Sequence, residues 1–176
     1  MIRIQITDGT ALEDEARWLA GLRTDVDYIQ VREREASARD LTRLARAAMK
    51  IAPVLVNDRA DVALACGAAG VHLRAGSVSP AEIKRLGSLV VSVSCHSAEE
   101  VEQAEGADYA VVAPIFRPLS KHDSREPLGL EGLRAICKRS HAPVIALGGI
   151  TAANAMQCID AGAAGIAGIS LFRKTP

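Results

Sequence analysis

AMQCIDAGAAGI at residues 155–166 repeats a pattern found in ADVALACGAAGV at 60–71 and AEEVEQAEGADYA at 98–110. Each is an alanine-rich helical stretch closed by Gly-Ala, followed by one or two linking residues and then an apolar run. Glycine just past a helix adopts the left-handed conformation that other residues reach only at a cost. The repeat therefore predicts a capped helix that turns straight back into a sheet. Short aliphatic runs recur along the chain: IRIQIT at 2–7, YIQVR at 28–32, PVLVN at 53–57, GVHL at 70–73, LVVSVS at 89–94, DYAVVAP at 108–114, PVIALG at 143–148 and GIAGIS at 165–170. Several are apolar on nearly every residue, as parallel strands buried on both faces require. Helical patterns fall between them at 11–23, 37–50, 59–66, 79–86, 97–105, 130–139 and 151–161. Eight strands alternating with seven helices predict an α/β chain folded as a compact (β/α)8 TIM barrel with a shortened or missing last helix. Such barrels usually need ~200 residues or more, and a flavodoxin-like open sheet suits a chain of 176 residues better. The regular spacing out to an eighth strand favours the barrel.

No linker or composition shift interrupts this pattern, so one domain over 1–176 is expected. The formal net charge is zero and aromatics make up only 3% of the chain. Neither nucleic acid nor an anionic membrane is an expected partner, and acidic ligands must be held by local clusters. No charged start with an apolar core and cleavage site opens the sequence, and no apolar run is long enough to span a bilayer, which predicts a cytoplasmic protein. Cys66, Cys95, Cys137 and Cys158 lie far apart, as buried free thiols do rather than zinc ligands or a disulfide framework.

Active sites of this fold lie at the C-terminal ends of the strands. The second strand ends in Gln30-Val31-Arg32-Glu33-Arg34, where alternation puts Gln30, Arg32 and Arg34 on one side and Val31 and Glu33 on the other. Two guanidinium groups there, with Lys121 from the irregular stretch 115–128, suit a multiply charged anion such as a diphosphate. A solvated strand end with local salt bridges is the other reading. Gly148-Gly149 after the seventh strand and Gly168-Ile169-Ser170 after the eighth expose backbone N–H groups that can grip a phosphate monoester. Asp58, after the third strand, has the chemistry of a Mg²⁺ ligand, and Asn57 or Asp58 equally suits the N-cap of the following helix. Among the histidines, His96 falls at a helix start and His122 in the long loop, while His72 and His141 read as structural or surface residues.

QVRER at 30–34, NDRADVALACGAAGVHL at 57–73, SVSCHS at 92–97, PIFRPLSKHDSREPLGLEGL at 114–133 and PVIALGGITAANAMQCIDAGAAGIAGIS at 143–170 resemble thiamine-phosphate synthases. The resemblance runs from about residue 4 to residue 172 and extends, in its last two blocks, to the related thiazole tautomerases. It implies a transferase of thiamine biosynthesis that joins hydroxymethylpyrimidine diphosphate to a thiazole phosphate and releases pyrophosphate. By position, Gln30, Arg32, Arg34, Asn57, Ser94 and Lys121 would hold the pyrimidine diphosphate. Gly148, Gly149, Ile169, Ser170 and Ser120 would hold the thiazole phosphate, and Asp58 would bind Mg²⁺. The chain departs from the family pattern in several places. Arg34 stands where lysine is usual, Ser77 replaces a second Mg²⁺ aspartate, and Pro118 replaces a threonine. Pro114 occupies the place of the tautomerase histidine. A member that binds thiamine phosphate or thiazole phosphate without turnover, and an isomerase using His96 or His122, are the alternatives. The short segment after Phe172 leaves an apolar flank of the barrel uncovered, which predicts a homo-oligomer.

Overall fold

The computed structural model describes residues 1–117 and 125–173. Eight parallel strands close in sequence order, each bonded to its neighbours and the last to the first. They are β1 (Ile2–Ile6), β2 (Tyr28–Val31), β3 (Val54–Asn57), β4 (Gly70–Leu73), β5 (Val90–Cys95), β6 (Tyr109–Val112), β7 (Val144–Ala146) and β8 (Gly165–Gly168). The connecting helices are α1 (Glu15–Ala20), α2 (Ala38–Ala48), α3 (Ala60–Cys66), α4 (Pro80–Lys84), α5 (Ala98–Gln103), α6 (Gly129–Arg139) and α7 (Ala155–Asp160). After β8 comes a 3₁₀ turn, Ser170–Phe172, with Phe172 buried and the Arg3 guanidinium 5.5 Å from its ring centre. The (β/α)8 architecture read from the repeat is the one observed. Among the described residues no helix is long and apolar enough to cross a membrane.

The three Gly-Ala caps explain why the strands are spaced so regularly. Gly67, Gly106 and Gly162 all have positive φ (73°, 83° and 105°), and each lies three residues before a strand starts at Gly70, Tyr109 or Gly165. The following alanine N–H reaches back to the helix, from Ala68 to the Ala63 carbonyl and from Ala163 to the Cys158 carbonyl.

Strand alternation sorts the core into two layers. Val54, Val56, Val71, Val91, Ala110, Val112, Val144 and Ile166 face the helices. Helix α2 shows how that layer is built: Ser37 caps its N-terminus by accepting the Asp40 N–H, and Leu41, Leu44, Ala45 and Ala48 bury the i, i+3, i+4, i+7 stripe. Ile4, Ile6, Val111, Ile145 and Ala167 form a separate cluster inside the barrel.

Most helices fray by a residue or two at their ends against their periodicity, and α1 and α7 are shorter by five residues or more. The Asp14 carboxylate accepts the Arg17 N–H at 3.0 Å and starts α1 at Glu15, and Gln5 ends it by bonding both the Gly21 carbonyl and the Arg23 N–H. Residues 151–154 form a turn instead of the first turn of α7, because Asn154 accepts the Thr151 N–H and donates to the Gly149 carbonyl.

Candidate active site

Inside the barrel, toward the C-terminal ends of the strands, β2 to β5 present polar side chains where β1, β6, β7 and β8 present the aliphatic Ile6, Val111, Ile145 and Ala167. Gln30 is 2% exposed and donates from Nε2 to Asn57 Oδ1 at 3.0 Å. Asn57 pairs in register with His72, and His72 with Ser92. The His72 ring is held at both nitrogens, Nδ1 by Ser92 Oγ and Nε2 by Ser94 Oγ, each at 2.9 Å. Burial pushes its pKa down to about 4, so the imidazole is neutral at pH 7. Ser94 is half-buried and lies one inward position nearer the C-terminal end of β5 than Ser92. Every buried side-chain polar atom among the described residues has a partner, so this network is closed.

The rim beside it is built by the β1–α1 and β2–α2 loops. Glu33, 5% exposed, accepts from Thr7 Oγ at 2.7 Å, from the Ala11 N–H at 3.0 Å and from Trp18 Nε1 at 3.0 Å. The same Thr7 hydroxyl accepts the Arg32 N–H at 2.9 Å, fixing the backbone at the arginine. Arg32 and Arg34 line a cleft of about 280 Å³ together with Asp8 and Glu33. Strand β2 ends at Val31, so strand alternation does not carry through to Arg34, which is exposed in the turn before α2. Nothing in the sequence marks Glu33 as the anchor of the rim. Its donors come from a loop and a helix earlier in the chain.

Asp58 follows β3 in the left-handed region, with φ 56°. It does not cap α3, whose N-cap is Arg59 with no side-chain bond, so the capping alternative for Asn57 or Asp58 is not realised. Its backbone N–H donates to the His72 carbonyl, while Oδ1 accepts the Arg74 N–H at 2.9 Å and Oδ2 lies 3.6 Å from Arg74 Nε. The carboxylate thus faces the β4–α4 loop that carries Ser77, and its side chain is 26% exposed.

Across the barrel, the β7–α7 turn packs against the segment after β6. A Cβ on Gly148 would sit 2.8 Å from Pro114 Cα, and one on Gly149 2.7 Å from the Arg117 carbonyl oxygen; both residues also have positive φ. Glycine is needed here for close approach as well as for conformation. The N–H groups of Gly149, Ile150, Ile169 and Ser170 have no acceptor among the described residues. Ile169 and Ser170 are exposed. Ser120 and Lys121, and with them Pro118 and His122, lie outside the described residues. The His96 ring donates from Nδ1 to the Ala113 carbonyl at 2.7 Å, and the Arg125 guanidinium lies against the edge of the ring that holds both nitrogens. Among the cysteines, Cys95 and Cys158 are buried and all four are free; burial pushes the Cys95 thiol up to about 12.

A closed (β/α)8 barrel with a polar network and two arginines at the C-terminal end of its strands defines an enzyme of the TIM-barrel class. The family to which the chain belongs is thiamine monophosphate synthase, whose profile matches residues 4–172. The thiamine-phosphate synthase of Chloroflexus aurantiacus is 44% identical over 155 residues, covering 81% of this chain and 69% of that protein. That of Moorella thermoacetica is 43% identical, covering 81% and 72%. Among solved structures, thiamine phosphate pyrophosphorylase from Pyrococcus furiosus superposes with a TM-score of 0.81 at 32% identity, covering 96% of this chain and 85% of that one.

Proposed function

We propose that this protein synthesises thiamine phosphate by joining hydroxymethylpyrimidine diphosphate to a thiazole phosphate. The bond from the pyrimidine methylene carbon to the diphosphate breaks, the thiazole nitrogen forms the new C–N bond, and pyrophosphate leaves. The observation that carries this reading is the pairing, at one end of the barrel, of the polar β2–β5 wall and its arginines with unused N–H groups after β7 and β8. Gln30, Asn57, Ser94, Arg32 and Arg34 form the pyrimidine diphosphate subsite, to which Lys121 belongs by position. Gly148, Gly149, Ile169 and Ser170, with Ser120, form the thiazole phosphate subsite.

No protein nucleophile is required. Arg32 supplies a permanent positive charge to the departing diphosphate, and its backbone is held in place by Thr7 and Glu33. Asp58 fits Mg²⁺ as a single carboxylate ligand, since this ion commonly takes one or two carboxylates and completes its shell with phosphate oxygens and water. Among the described residues no cluster of three His, Cys, Asp or Glu side chains offers a fuller cage. When bound, Mg²⁺ supplies charge neutralisation on the diphosphate. The protein acts on small phosphorylated molecules in this reading, in the cytoplasm and as a homo-oligomer.

The direct test is incubation of purified protein with both substrates and Mg²⁺. Thiamine phosphate is the expected product, and Arg32→Ala is expected to lower kcat/KM by about 100-fold or more. No product above background at high enzyme concentration overturns the reading.

A further inference from the structure

Successive inward positions on a strand lie about 7 Å apart, a span that one imidazole can bridge with a hydrogen bond at each nitrogen. His72 does this between Ser92 and Ser94 of the neighbouring strand. The two hydroxyls are not equivalent. Ser92 is 0% exposed, and among the described residues its Oγ has one partner, His72 Nδ1. A fully buried O–H without an acceptor is costly, so the Ser92 proton goes to Nδ1. A neutral imidazole carries one proton, and with Nδ1 accepting, that proton sits on Nε2. Nε2–H then donates to Ser94 Oγ, which leaves the Ser94 O–H to be donated elsewhere, and Ser94 is the member of the trio that is half-buried rather than enclosed.

We propose that His72 is a positioning residue that fixes Ser94 as a hydrogen-bond donor to an anionic oxygen of the diphosphate. This rests on the assignment of Ser94 to the diphosphate subsite made above. In the opposite tautomer Nδ1–H would occupy Ser92 and strand its hydroxyl proton. Nε2 would take the Ser94 proton, and Ser94 would turn lone pairs toward the anion. The polarity of the subsite is therefore set by Ser92, a residue the ligand never touches.

Two measurements test this. Long-range ¹H–¹⁵N correlation on protein labelled at histidine, with the His72 signals assigned by their loss in His72→Gln, reads the tautomer directly. The Nε2–H form is expected, and the Nδ1–H form overturns the inference whatever the ligand does. Calorimetric titration with inorganic pyrophosphate in the presence of Mg²⁺ reads the consequence. Ser94→Ala is expected to weaken binding about 10-fold and Ser92→Ala roughly 3- to 10-fold. In the Ser94→Ala background, Ser92→Ala is expected to add nothing, because its effect passes through Ser94. A full additive loss in the double variant overturns the positioning role and leaves Ser92 merely structural. An Nε2–H ring with pyrophosphate binding unchanged in Ser94→Ala overturns the Ser94 assignment itself, and the ligand half of the inference with it.

Discussion

The two halves of the barrel interior are made from the same strand geometry and opposite chemistry. From β6 round to β1, Val111, Ile145, Ala167, Ile4 and Ile6 pack as an apolar cluster. From β2 to β5, Gln30 and Asn57 form a hydrogen-bonded pair and Ser92, His72 and Ser94 a triplet, with no buried polar side-chain atom left over among the described residues. Apolar packing has no direction and contributes by area. A closed polar network contributes less net energy per contact but fixes which atoms donate and which accept. One half of the interior thus carries stability, and the other carries orientation.

The sharpest way to break that division is Ile145→Ala, which leaves a cavity in a fully buried position of the apolar half. The expected loss is about 2–5 kcal/mol in urea denaturation, with pyrophosphate affinity unchanged. An affinity loss of similar size would erase the distinction between the halves. The polar half has its own stability signature in pH. His72 ionises near pH 4 when folded and near 6.5 when unfolded, so between these values the unfolded chain binds the extra proton. Stability should therefore fall as pH drops from about 6.5 to about 4, by up to about 3 kcal/mol from this group. Urea midpoints measured across that range, compared with those of His72→Gln, isolate the contribution; parallel curves would count against it. At the rim, Glu33→Gln replaces a carboxylate that accepts three hydrogen bonds with an amide that repels one donor. A loss of about 1.5–3 kcal/mol is expected from denaturation. The smallest effect is expected at the Arg74–Asp58 pair, where the arginine side chain is 80% exposed. Arg74→Ala should cost under about 1 kcal/mol, and a larger shift in the urea midpoint would mean that the pair braces the mouth.

Much of the fold was legible because its decisive signals are local. A glycine three residues before a strand leaves its mark in any register, as Gly67, Gly106 and Gly162 show. The helix starts were less so, because side chains of Asp14 and Asn154 bond the backbone and override an otherwise helical pattern. The site divides in the same way. Gln30, Asn57 and Ser94 are visible as polar residues closing apolar strands, and the structure joins the first two in a hydrogen bond. His72 read as structural, since its pairing with two serines depends on the alignment of β4 with β5 and not on neighbours in sequence. Glu33 was hidden for a similar reason: its three donors come from residues 15 to 26 positions earlier.

The Glu33 anchor has one more consequence. Trp18 is the only tryptophan in the chain, and its indole N–H is bonded to the carboxylate beside Arg32. Indole emission responds to the hydrogen bond at that nitrogen, so the protein carries a single built-in fluorophore wired to the rim of its cleft. If Arg32 holds the diphosphate as proposed, titrating pyrophosphate with Mg²⁺ is expected to shift that emission without any added label.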